Sequence, residues 1–256
     1  MKNFKAFTLA EVLITLGVIG VVAAITLPTL IKNYQKHVWV NQLKSSVSIW
    51  EQGMQKMLAD EEVSKLSDTS VWASKGDARC YSGDTSYTTN TNCKNFVNNL
   101  SKYIKIVEVG KYGEKMKNLS GDGVNNESLN YGSLALSDGT MIFFEADITP
   151  YTNTTEECNE IKRLGGTMCS QAGSIDIDVN GRRGPNTWGR DVFAFHYSDE
   201  GKLYPYAGKD SSLHFDEDTW HDDYDICGIP DGKITSNTNG DGCAARIMEN
   251  GWKMDY

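Results

Sequence analysis

The stretch Phe7–Ile31, FTLAEVLITLGVIGVVAAITLPTLI, decides how the rest of the chain is read. Its 25 residues are apolar, small or hydroxylated, with one exception, Glu11. At a rise of ~1.5 Å per residue a helix of this length spans roughly 37 Å, enough to cross a hydrocarbon core with some tilt. Lys2 and Lys5 in front, and Lys32 and Lys36 behind, stand where charges at the two membrane surfaces stand. A lone carboxylate a few residues inside such a span is costly, so Glu11 calls for a partner. Gly17 and Gly20 permit neighbouring helices to approach closely, and Pro28 removes one backbone donor and is expected to kink the helix.

A secretory signal has a shorter apolar region closed by a small-residue cleavage site, and no Ala-x-Ala site closes this one before Pro28. A plain anchor fits the length but leaves Glu11 without a purpose. The basic leader, the small residue Ala6 and the opening Phe7-Thr8-Leu9-Ala10-Glu11 resemble the type IV prepilin and type II secretion pseudopilin family. The chain has Ala6 where that family usually has Gly, and Ala10 where it usually has a larger aliphatic residue. The resemblance implies that a prepilin peptidase cuts between Ala6 and Phe7 and methylates the new amine of Phe7. It implies further that the apolar helices bundle into a filament core, where Glu11 meets the amine of a neighbouring subunit. Residues 1–6 are then a leader, 7–31 the transmembrane and filament-core helix, 32–58 its amphipathic continuation, and 59–256 an extracytoplasmic domain. The implied location is the inner membrane, single-pass, and a filament after assembly.

Beyond Ile31, Tyr34, Val38, Leu43, Val47, Trp50, Met54, Met57 and Leu58 recur at the spacing of one helical face. That face must pack on something, most simply a sheet of the same chain. From Asp60 to about Asn99 the pattern dissolves into Asp, Ser, Thr, Gly and Asn and reads as a surface loop. Tyr103–Val109 alternates as a half-buried strand. Ser133–Asp147 reads as a hairpin turning at Ser137-Asp138-Gly139. Ser174–Val179 and Asp191–Tyr197 are two further strands, Lys202–Tyr206 is an edge strand because Pro205 cannot donate, and the last segment holds a short helix ending at Gly251. Neighbouring strands with short turns argue an antiparallel meander, so the fold class is α+β: a long amino-terminal helix packed on a small antiparallel sheet. The family resemblance implies the pilin-like ladle with disulfide-tied loops.

Six cysteines fall as the near pairs Cys80/Cys93, Cys158/Cys169 and Cys227/Cys243. An even count beyond a membrane points to disulfides formed in an oxidising compartment; of the fifteen connectivities, nearest-neighbour pairing is the simplest. Structural zinc is the rival, but no C-x-x-C pair exists and the four histidines are scattered. Asp176-Ile-Asp178-Val-Asn180-Gly181 begins as a calcium loop does, with short oxygen-bearing side chains at alternate positions and a Gly for the turn. The twelfth position is Thr187 rather than Glu, and strand alternation would place Asp176 and Asp178 together on a solvent face. Asn237–Gly242 is a second oxygen-rich stretch, and the acidic run Asp216–Asp223 reads as a solvated loop. His196 reads as a sheet residue, and Trp188 and Trp252 as plugs of the core.

The formal net charge is −9, and loss of the leader with Lys2 and Lys5 makes the chain two units more acidic. No long basic run supports a grip on nucleic-acid phosphates. No Ser/His/Asp, Cys/His or Gly-rich phosphate loop supports catalysis, so the chain reads as a non-enzyme with no cofactor beyond the calcium candidate. Two other readings stand beside the filament subunit: a membrane-tethered binding or adhesin domain, and a tethered hydrolase using the acidic loops and calcium. The partners implied by the resemblance are the prepilin peptidase, other copies or related pilin-like subunits, and an inner-membrane assembly platform.

Overall fold

The computed structural model describes residues 8–76, 80, 86–111, 116–121, 132–144, 146, 151–152, 170–171, 173–206, 227 and 240–256. The chain forms two compact units, Met1–Val38 and Trp39–Tyr256. In the first, helix α1 (Leu9–Asp60) starts behind Thr8 and stays helical through Pro28. Its apolar side chains from Leu9 to Ile31 are exposed all round. Thr15 and Thr26 hydroxyls donate to the carbonyls of Val12 and Val22 at 2.9 Å, so neither adds an unpaired polar group to the apolar stretch.

In the second unit α1 buries Val40, Leu43, Val47, Trp50, Met54, Met57 and Leu58, the stripe expected from three- and four-residue spacing. Tyr34, which the periodicity placed on this stripe, is exposed. The stripe packs with Leu134, Leu136, Ile142, Ile175, Ile177, Phe193, Phe195 and Tyr197 in one core. These come from a six-stranded antiparallel sheet of order β1-β2-β3-β6-β7-β8: β1 Ile106–Lys111, β2 Gly132–Leu136, β3 Met141–Phe144, β6 Gly173–Asp178, β7 Val192–Tyr197 and β8 Leu203–Pro205. Tyr151–Thr152 (β4) and Ser170–Gln171 (β5) form a separate pair. Each expected strand is present, and β8 is the edge strand that Pro205 required. The first strand begins three residues later than its alternation suggested, because Tyr103 and Ile104 are taken up in a turn bonded to the Leu100 carbonyl.

The stretch from Asp60 to Asn99 is not a surface loop. It holds a 3-10 turn at Leu66–Asp68 and the helices α2 (Ser70–Ala73), α3 (Ser86–Thr89) and α4 (Thr91–Leu100). Leu66, Val71, Trp72, Phe96, Val97 and Leu100 enter the main core. Trp72 stands edge-on to Phe96 at 5.2 Å and lies 6.3 Å from Tyr197, whose ring is 5.6 Å from Trp50. Six polar residues of α4 hide a clean apolar stripe, Cys93, Phe96, Val97 and Leu100, behind an Asn90 cap that accepts from the Asn92 and Cys93 amides.

Two glycines set the seating of α1. A Cβ at Gly53 would lie 2.7 Å from Ile104 Cγ1, and one at Gly201 would lie 2.6 Å from Met54 Cβ. Hydrogen bonds finish the seat. Ser46 Oγ meets Thr140 Oγ1 at 3.1 Å, Gln55 Nε2 donates to Glu200 O at 2.6 Å, and Glu51 accepts from the Leu203 amide at 3.1 Å. The opposite face of the sheet is also covered: Met116, Met141, Phe143 and Val192 are buried there with Ala135 and Trp188 against them. All six residues of β7 are therefore buried. A further short helix, α5 (Cys243–Glu249), is followed by Trp252, Met254 and Tyr256, each partly buried against the core.

Candidate functional site

The amino-terminal residues are the first candidate. Ala6 and Phe7 lie outside the described residues. Thr8 and Glu11 do not, and they form a reciprocal cap. The Thr8 amide and hydroxyl both donate to Glu11 Oε2 at 2.8 Å, and the Glu11 amide donates back to Thr8 Oγ1 at 3.3 Å. This is the capping box, with a hydroxyl residue at the start of the helix and a carboxylate three positions on. Thr8 is a residue the sequence reading passed over, although the Thr-x-x-Glu spacing carried the signal. The cap occupies one carboxylate oxygen of Glu11 within its own chain. Glu11 is exposed in the first turn of a helix that is otherwise apolar to Ile31, long enough and apolar enough to cross a membrane.

The second candidate is the loop between β6 and β7. Asp176 is half-buried and Asp178 is fully buried, so the two do not share a solvent face. Their face of the sheet carries the second apolar layer, which alternation alone could not reveal. Asp178 Oδ1 accepts from the Asn180 amide at 3.2 Å, and Asn180 Nδ2 donates to Gly184 O at 2.9 Å. Asp191, also buried, accepts from the Asn186 amide at 2.9 Å and the Thr187 amide at 2.7 Å. Burial raises the Asp191 carboxyl above the usual range, and those donors pull it back. Among the described residues no three His, Cys, Asp or Glu side chains converge as a metal site. The second oxygen-rich stretch lies outside the described residues up to Asn239, as does the acidic run Asp216–Asp223. Asp241, which closes the second stretch, is pushed up to about 6 by burial.

Among the described residues two of the expected disulfides are formed. Cys80–Cys93 joins the start of α4 to a residue whose carbonyl accepts from the Ala146 amide beyond β3. Cys227–Cys243 anchors α5. Cys158 and Cys169 lie outside the described residues. The second bridge sits where three segments meet: a Cβ at Gly189 would be 2.5 Å from Cys243 Sγ, one at Gly240 would be 2.5 Å from Trp188 O, and Tyr256 donates its hydroxyl to Gly189 O at 2.5 Å. His196 is buried against Tyr206 with ring centres 5.2 Å apart, and burial lowers it to about 4, so it is a neutral sheet residue as expected.

Residues 1–27 match the prokaryotic N-terminal methylation motif, the signal of type IV prepilins and pseudopilins. That match agrees with the leader, the apolar helix and Glu11, and fits a prepilin-peptidase substrate anchored in the inner membrane. No curated protein and no solved structure matches the chain. Residues 29–256 match a single family along their whole length, so behind its prepilin signal the chain belongs to the family of unknown function DUF6613.

Proposed function

We propose that this chain is a structural subunit, pilin or pseudopilin, of a type IV pilus or type II secretion pseudopilus. The prepilin peptidase removes residues 1–6, the amine of Phe7 is methylated, and α1 carries the subunit from the membrane into a polymer. The observation that supports this reading above all is the methylation motif leading into a helix whose one charge up to Ile31 is Glu11. The capping box satisfies one oxygen of Glu11 while the subunit waits in the membrane. The other oxygen is left for the cationic amine of Phe7 on a neighbouring copy. In a low-dielectric helix bundle that pairing offsets the cost of an otherwise uncompensated charge. Apolar contact of Leu9, Val12, Leu13, Leu16, Ile19 and Val22 among neighbouring helices supplies the remaining cohesion. The globular unit is displayed outside the cytoplasm, where its disulfides are stable.

The test is the intact mass and amino-terminal peptide map of the chain from its native membrane. A chain beginning at Phe7 with one added methyl is the expected result. A chain beginning at Met1 in cells with active peptidase would move the reading to a tethered, non-polymerising binding domain. A Glu11→Ala variant is expected to insert in the membrane and to assemble poorly. Normal polymer in that variant would remove the pairing from the mechanism.

A further inference from the structure

The loop between β6 and β7 is built as a rigid frame. Asp191 holds the Asn186 and Thr187 amides, Asn180 holds Gly184, and Gly181 packs so closely that a Cβ there would be 2.5 Å from Gly139 O. On this frame Arg182, Arg183 and Arg190 are exposed. Lys117, also exposed, is stitched to the same loop by its amide to Asn186 O and its carbonyl to the Trp188 amide, each at 2.9 Å. Arg182 pairs with Glu108 at 3.0 Å. Among the described residues no carboxylate forms an ion pair with Lys117, Arg183 or Arg190. Asp138 is the exposed anion on the adjoining turn, and its Oδ1 accepts from the Thr140 amide. A fixed cluster of cations in a chain of net charge −9 is a concentration of the minority sign.

The opposite end of β7 carries the other sign. Strand β7 leads from this loop to the turn at Asp199-Glu200, a run of roughly 20 Å for six residues. There the Asp199 carbonyl accepts from the Leu66 amide and Glu200 O accepts from Gln55, which gathers the end of α1 and the segment after it. Glu62, Asp68 and Glu200 are exposed at that end, with Lys65 and Lys202 also exposed; Asp60 pairs with Lys56, and Glu61 accepts from the Ser70 hydroxyl. Helix α1 runs the same way, from Ser46 beside Thr140 at the cationic end to Gln55 beside Glu200 at the acidic end. Among the described residues the unit Trp39–Tyr256 thus carries its exposed cations and anions at opposite ends of its helix.

From this polarity we propose that the cationic loop of one copy docks on the acidic end of the next, a head-to-tail contact between copies of this chain. A contact that joins two different surface patches repeats without closing when the copies stack along one axis, which makes a filament. Complementary charges of this kind set register and encounter rate and weaken with salt. The inference rests on the polymer reading above, and adds to it where the globular units touch.

The experiment uses the full chain in its native membrane, with sheared polymer as the readout. One variant reverses the loop (Arg183→Glu with Arg190→Glu); the other reverses the acidic end (Glu62→Lys, Asp68→Lys and Glu200→Lys). Each alone is expected to lower polymer by about tenfold, the effect of two or three exposed pairs turned to repulsion. Co-expressing the two variant chains is expected to restore it, because each reversed loop then meets a reversed acidic end on another copy. A chain carrying both reversals is expected to form polymer as well, since its reversed loop meets a reversed acidic end on the next copy; failure of co-expression to restore polymer would overturn the proposal. Normal polymer from either single variant would overturn it as well. Glu11→Ala, run in parallel, separates the two ideas: if it abolishes polymer while the reversals do not, assembly through α1 stands and the docking contact falls.

Discussion

Gly201 is the position where one methyl group tests how α1 is held. Replacing it with Ala has two costs. Its φ is +77°, in the left-handed region, where a residue with a Cβ is less stable by roughly 1–2 kcal/mol. The new Cβ would also lie 2.6 Å from Met54 Cβ, an atom fixed to the helix backbone that no rotamer change can move aside. Overpacking of that kind costs about 1–3 kcal/mol. Together Gly201→Ala is expected to destabilise the globular unit by about 2–5 kcal/mol, a drop in Tm of roughly 5–15 °C for a domain of this size. Gly139→Ala is the control, because Gly139 has φ +93° and nothing within 4 Å of a Cβ, so it carries the backbone cost alone. Urea unfolding of the full chain in detergent, followed by the fluorescence of the buried Trp50 and Trp72, measures both variants. Equal destabilisation within about 0.5 kcal/mol would refute the view that the turn before β8 clamps α1 by direct contact.

His196 gives a pH test. Its folded value of about 4 lies below the ordinary 6.5, so its contribution is fully present above pH 6.5 and is lost as pH falls through 4. The loss amounts to about 3 kcal/mol, and His196→Gln is expected to flatten the acid limb of stability against pH. Asp241, raised to about 6, acts in the opposite direction over the same window, and comparing wild type with His196→Gln cancels it. A parallel pair of curves would show that His196 is solvated in the fold. The Cys80–Cys93 bridge closes a loop of sequence separation 13, so Cys80→Ala with Cys93→Ala is expected to cost about 3 kcal/mol, read as a lowered urea midpoint. Asp191→Asn retains one acceptor oxygen and leaves the Asn186 or Thr187 amide facing an amide group; a loss of about 1–3 kcal/mol, with faster hydrogen exchange at those amides, is expected.

How much of this was legible in the chain differs from element to element. The helix from Leu9 to Asp60 could be read directly, because apolar density and then a three-and-four spacing are properties of consecutive residues. The hairpin at Ser137-Asp138-Gly139 and strands β6, β7 and β8 announced themselves through alternation and turn residues. The segment from Asp60 to Asn99 did not. Its apolar side chains are few and set among Asn, Ser and Thr, and Trp72 and Phe96 gain their meaning only by meeting each other and Tyr197 across long sequence distances. Asp178 shows the same limit from the other side. Alternation assigns a side chain to a face of a sheet, and what covers that face is settled by other parts of the chain.

The amino-terminal site belongs to the sequence. A basic leader, a small residue, a span with one carboxylate and the Thr-x-x-Glu spacing are all local, so twenty-seven residues were enough for the methylation motif to be recognised without a fold. The tertiary structure decided which glycines are contact points, which aspartates are buried tethers, and that the ends of β7 carry opposite charge. Those are properties of packing: they depend on which side chains meet across a hundred residues or more of chain, and no window of neighbouring residues contains that information.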